Sequence, residues 1–377
     1  MSLIFRLILV TFLSLNSFAA YATDYIEEQK SEKYDSQIVE VLEVSELSTP
    51  SNLPIELGDT KEQVVKVKVI SDGPEKNTEL FINNIVPDNN AFAILAEKGR
   101  KYTIALSEDR EDIAITDYYR EPIVIALILF FLVAIIAFAG LHGVKAILSL
   151  TLTGLSIIYI LIPTIKLGFN PVLMSIFIAT FATGTTMILI AGFTKKALSA
   201  TIGTTGGVTI AGILAYLVIK TAPLSGLANS EARILMGNLI NTGNESLINF
   251  QGLLAAGILI SSLGAAMDVA ISIASSTQEI YLTNPNQSRR DLFKHALNVG
   301  KDIMGTMTNT LVLAYTGSSL PLFLLLHQEV TEHLLNMEII ATELSAATIG
   351  SIGLLFAIPI TSISAVVLLK STSKNLT

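Results

Sequence analysis

The sequence predicts an all-α polytopic membrane helix bundle of about seven transmembrane helices, with a small N-terminal extracytoplasmic β domain. Three observations lead there. First, 51% of the 377 residues are hydrophobic, mean hydropathy is +0.60, and only 15% are charged, against roughly 25% in soluble domains. Second, the charge is uneven. Residues 23–121 hold 22 acidic and 11 basic side chains, whereas the chain from Pro122 onward holds 10 and 12. Third, the acidic stretch is broken by turn residues and alternates with period two, as in VVKVKVI. The chain beyond Pro122 breaks instead into apolar runs of about 20 residues, the length a bilayer requires.

Residues 1–22 read as a signal peptide. Arg6 precedes the apolar run LILVTFLSL, and Ala20-Tyr21-Ala22 fits a small-x-small cleavage site. The alternative is an uncleaved anchor helix. Both readings place residues 23–121 outside the cytoplasm.

That region follows a polar lead-in, Thr23–Ser36, with five candidate strands: Gln37–Val44, Glu62–Ile70, Thr78–Val86, Lys101–Ser107 and Asp112–Tyr119. Asp72-Gly73-Pro74, Pro87-Asp88-Asn89-Asn90 and Gly99 supply the turns. Five short strands suit a small barrel or sandwich, with an OB-like barrel among the forms. Acidity and the lack of a basic aromatic face argue against nucleic acid as a partner. An envelope protein is the partner class this domain fits.

The third domain, 122–377, contains seven candidate spans: Ile123–Leu141, Val144–Pro163, Pro171–Phe193, Leu198–Ile219, Gly252–Ser275, Gly305–Leu326 and Leu344–Leu369. Charge placement agrees with an odd count. Lys145, Lys195, Lys196, Arg289, Arg290, Lys294, Lys301, Lys370 and Lys374 fall on one set of alternate segments. The other set carries Lys166, Lys220 and Arg233, and then only Glu329, Glu332, Glu338 and Glu343. The expected location is the plasma membrane, N-terminal domain out and C-terminus in. A short helix is expected around Ser230–Ile240. Ser288 with Asp291 resembles a capping box opening a helix that feeds the sixth span, with Gly300 and Gly305 as candidate bends.

Two stretches carry the chemistry. Ser261–Glu279, SSLGAAMDVAISIASSTQE, places Asp268, Ser272, Ser275 and Glu279 on one helical face. Asn298–Leu322, NVGKDIMGTMTNTLVLAYTGSSLPL, places Asn298, Asp302, Thr306 and Asn309 together. An ionisable group at membrane depth costs at least ~2.5 kcal/mol, so it faces protein or water rather than lipid. These residues are the transport-path candidates, and Asp268 and Asp302 are expected to meet in the inner half of the bundle. The competing reading is structural, with the carboxylates locking helices together. In the fourth span, Gly203, Gly207 and Ala211 recur every four residues, a spacing that lets helix backbones approach. Thr201, Thr205 and Thr209 form a second stripe.

Several chemistries are excluded or weak. The chain contains no cysteine, so thiolate nucleophiles, disulfides and Cys-ligated metal are out. There is no P-loop, GxGxxG, GxSxG or HExxH. Glu329 and His333 share a face at an outer boundary, where polar residues are ordinary, so no metal and no cofactor is expected. An intramembrane enzyme built on two carboxylates is the third-ranked reading.

At these stretches the sequence resembles the YibE/F-like family of bacterial membrane proteins. SLGAAMDVAISIASSTQEI and NVGKDIMGTMTNTLVLAYTGSSLPL carry the resemblance, together with LFKHALNVGKD, GTTGGV and SIGLLFAIPIT. It runs from about Val41 to Thr361. It implies a multi-pass envelope protein with an extracytoplasmic N-terminal region, and brings no catalytic or substrate-binding role with it. SDGPEKNTELFINN departs from the family's more basic, Gly-containing turn.

The leading expectation is a solute or ion transporter, proton- or cation-coupled, working in the lipid bilayer through Asp268 and Asp302. The alternative is a non-transporting anchor or scaffold whose outer β domain binds an envelope partner.

Overall fold

The structure, a computed structural model, describes residues 35–48, 61–73, 75–86, 94–107, 113–241, 248–328 and 333–371. The expected signal peptide lies outside them, as do Glu329 to Glu332 of the cluster next to His333. Contacts divide the chain into two units, one ending at Ala134 and the other resuming at Ile135.

The N-terminal unit holds five strands: β1 (Asp35–Val44), β2 (Lys61–Val69), β3 (Glu79–Val86), β4 (Lys101–Leu106) and β5 (Ile113–Tyr118). All five expected strands are present, with ends moved by two residues at most. They form one antiparallel sheet in the order β3-β2-β1-β4-β5. The edges β3 and β5 approach each other, so the sheet curls into a half-barrel, as in a partly open OB-like barrel. Alternation decides what goes inside: Val65, Val67 and Val69 of β2 are buried with Val39, Val41, Ile82, Tyr102 and Ile104. A polar clip closes one end. Gln63 exchanges hydrogen bonds with the Ala96 backbone (3.0 and 3.1 Å), and Asn84 donates to Gln63 and to the Ile94 carbonyl.

Next come α1 (Glu121–Ala139), α2 (Leu141–Ser156), a π-helical turn (Ile157–Leu161), α3 (Ile162–Lys166), α4 (Pro171–Ala191) and α5 (Lys195–Thr221). The chain continues as α6 (Ser230–Asn241), α7 (Phe250–Thr283), α8 (Arg289–Ser318), α9 (Leu320–Gln328) and α10 (Glu338–Ser371). The second expected span, Val144–Pro163, is thus interrupted. Pro163 has no N–H to give the Tyr159 carbonyl, and the ladder widens so that the Ile162 N–H reaches Ile157 O.

Among the described residues, six helices are long and apolar enough to cross a membrane: α1, α2 through α3, α4, α5, α7 and α10. The remaining expected span, Gly305–Leu326, falls across α8 and α9 and is broken at Ser319. Pro321 explains the break, because its ring would meet the Gly317 carbonyl in a continuous helix. Helix α8 runs through Gly300 and Gly305 without a break. The Ser288 cap forms as expected, its Oγ accepting from the Asp291 N–H and donating to the Asp291 carboxylate.

The polar contacts of three side chains show that the chain between α7 and α10 nevertheless crosses the helical unit. At the end of α10, Lys370 Nζ donates to Pro285 O and Gln287 O in the turn between α7 and α8. At its start, Glu338 accepts from Ser225 N and Oγ (both 2.6 Å), just beyond α5. Gln251, at the start of α7, donates to Leu224 O in the same loop. Helices α7 and α10 therefore run in the same direction, and the chain between them must return from one end to the other.

Candidate functional site

The site is the outer surface of α7 and α8. Leu263, Ala266, Val269, Ala270, Ile273 and Ala274 line one face of α7 and are buried. On α8, Leu297, Ile303, Met304 and Met307 pack against Val269, Ile273, Leu354 and Ile358. Helical period then sends the opposite faces outward. Asp268, Ser272 and Glu279 are exposed and Ser275 is half-buried; Asn298, Asp302, Thr306 and Asn309 are exposed.

Two contacts set the register. A Cβ on Gly300 would overlap Ile358 and sit 3.3 Å from Ile273, and the Tyr315 hydroxyl is hydrogen-bonded to Ser261 Oγ. The helices are antiparallel, which puts Asp268 about level with Thr306. Asp302 lies about one turn, or ~6 Å, nearer the α7–α8 turn. Neither Asp268 nor Asp302 is buried between helices, and no hydrogen bond or ion pair joins either to anything among the described residues. Each helix has one apolar and one polar face, and the apolar faces take the interior. Asp268 and Asp302 instead stand on one open surface, at neighbouring depths. Such a surface can bind and release a cation, or hand on a proton, once water or a partner covers it. Among the described residues no cluster of three metal-ligating side chains exists.

Tyr315 was not singled out by the sequence argument. Its signal was a lone phenol in an apolar run, since a membrane-depth hydroxyl requires a partner. Lys370, read only as a topology marker, ties the bundle together.

The small stripe of α5 lies against α10. A Cβ on Gly203 would overlap Thr361; one on Gly207 would meet Gly353 O at 2.5 Å and Ala357 Cβ at 2.9 Å. A Cβ on Gly353 would stand 2.8 Å from that of Ala211. The Thr stripe turns largely inward on its own helix, Thr201 donating to Ala197 O and Thr209 to Thr205 O, while Thr205 donates to Thr180 of α4.

Long apolar helices, a polar surface at their depth and a separate half-barrel define a multi-pass membrane protein with a small appended β domain. The family model described as YibE/F-like protein matches residues 127–371, so the chain belongs to that family. The match covers the helices and leaves out the strands, which the sequence resemblance included from Val41 onward. No curated protein and no solved structure matches the chain.

Proposed function

We propose that this protein moves a small polar solute or an ion across the bacterial plasma membrane, coupled to protons or cations, along the α7–α8 surface. One observation carries the reading. Among the described residues, Asp268 and Asp302 stand without partners in a continuous run of hydroxyls and amides on helices that cross the bundle. A carboxylate that locked helices of its own chain would be paired within that chain, and neither of these is. The proposed topology puts residues 23–121 outside and the C-terminus inside, which sets Lys145, Lys195, Lys196, Arg289, Arg290, Lys294 and Lys370 on the cytoplasmic side.

The test is a paired measurement on Asp268→Asn and Asp302→Asn. Both side chains are exposed within the chain, so folded, inserted yield is expected to stay near that of the unmodified protein. Complementation of a deletion strain, or pH-dependent uptake into vesicles, is expected to fall at least tenfold. Full activity in both variants removes the carboxylate path, and with it the observation that carries the transport reading.

The anchor reading has its own support. Phe81, Ile85 and Val64 are 66%, 50% and 40% exposed on the outer face of β2 and β3, with Lys66 over the Phe81 ring. An apolar patch beside the edge of a sheet suits an envelope protein partner. Loss of function in Phe81→Ser, with the two Asn variants active, would favour it.

A further inference from the structure

We infer that two copies of this chain meet along α8, and that Lys301 of each copy pairs with Asp302 of the other, completing a site that a single chain leaves open. The inference rests on the membrane-spanning reading proposed above.

Spacing is the first support. Asn298, Asp302, Gly305, Asn309, Val312 and Thr316 recur in alternating steps of four and three, the seam of two supercoiled helices. The first five are exposed and Thr316 is half-buried. The apolar face of α8 is already used against α7 and α10, so this seam is a second contact surface, left open by the described residues of its own chain.

Glycine is the second. A Cβ on Gly203, Gly207, Gly300 or Gly353 would collide with the chain's own atoms, whereas one on Gly305 meets nothing within 4 Å. A small residue open on a membrane-crossing helix allows another backbone to come close.

Charge identifies the occupant. Lys301 and Asp302 are both exposed and neither makes an ion pair among the described residues. Two copies inserted in one bilayer run parallel, so identical residues lie at identical depth. In a parallel pair, the residue just before a seam position borders the hole that takes the partner's seam side chain. Lys301 of one copy therefore borders Asp302 of the other, and two-fold symmetry makes the contact twice. The four groups sum to zero charge, so the surface is complementary to itself. Gly264 and Asp268 on α7 are exposed beside this seam, and the pair of α7–α8 surfaces would enclose a polar path that a single copy leaves open to lipid.

The chain's lack of cysteine makes the test clean. Asn298→Cys and Asn309→Cys are placed singly in the full chain and oxidised in native membranes. Leu217→Cys and Ile363→Cys, exposed on α5 and α10, serve as controls. The seam variants are expected to give a covalent product of twice the chain's mass, at least tenfold above the controls. In the Asn309→Cys background, Lys301→Asp and Asp302→Lys are each expected to cut that product at least tenfold, and the two together to restore it. Seam cysteines no better than the controls, a product of another mass, or charge changes without effect would overturn the inference. Uptake separates the two proposals. Cross-linked dimer with undiminished uptake in both Asp268→Asn and Asp302→Asn removes the carboxylate path and keeps the interface; uptake lost in both, with no cross-linked product from the seam variants, removes the interface and keeps the path.

Discussion

Tyr102 shows what one buried polar atom does for the half-barrel. Its ring is fully buried, and its hydroxyl donates to Leu95 O (3.0 Å) and accepts from the Glu97 N–H (2.9 Å). It pins the 94–97 segment over the open end of the sheet. Tyr102→Phe keeps the ring but leaves two backbone groups unpaired, and is expected to cost about 1–3 kcal/mol. Chemical denaturation of residues 35–120 expressed alone measures it. Burial also pushes the Tyr102 hydroxyl above its ordinary value, with the Glu97 N–H opposing. A folded pKa above the unfolded one means stability that is present below about pH 10 and lost as pH rises through the folded value. The unmodified domain is expected to lose stability across that alkaline range, and the Phe variant to lose less.

At the scale of elements, α5 packs closely on α10. Gly203, Gly207 and Ala211 face Thr361, Ala357 and Gly353 at a distance that leaves no room for a larger side chain. Gly207→Leu places four carbons where Gly353 O and Ala357 already stand. It is expected to cost at least the ~1–3 kcal/mol typical of overpacking, and to lower the folded fraction recovered from membranes. Leu217→Ala, on an exposed part of the same helix, is expected to leave recovery near normal. Equal recovery of the two variants would mean that the α5–α10 contact is not tight. Helix α8 makes the complementary point. Its polar composition hides a crossing that the direction of its neighbours demands, and Ser319 and Pro321 divide that crossing between two helices.

For the whole molecule, the shared direction of α7 and α10 sets the parity of the chain. Counting α8 and α9 as one crossing gives seven in all, and seven places the two termini of the helical region on opposite sides. A reporter fused after Lys374 is expected to behave as cytoplasmic, and one inserted near Asn89 as external. Reports from the same side would mean that α8 and α9 do not cross the bilayer together.

The kinds of element, and the limits of the strands, were legible in the order of residues along the chain, whereas several helices outrun the expected spans, α7 ending at Thr283 rather than Ser275 and α10 starting at Glu338 rather than Leu344. Alternation in VVKVKVI marked β2 and its buried valines, Ser288 opened α8, and the apolar runs located the other crossings. These features depend on neighbours a few residues away, which chain order fixes. The two most characteristic blocks also carried the family. Which way the polar stripes look was settled only by packing in three dimensions. Helical period sets the angle between Asp302 and Met307 on α8, but not the rotation of α8 against its neighbours. That rotation follows from packing Leu297, Ile303 and Met307 on Ile273 and Ile358, contacts that join residues dozens of positions apart. The same packing left Asp268 and Asp302 exposed on the outer side of their helices, because the apolar faces of both helices fill the interior.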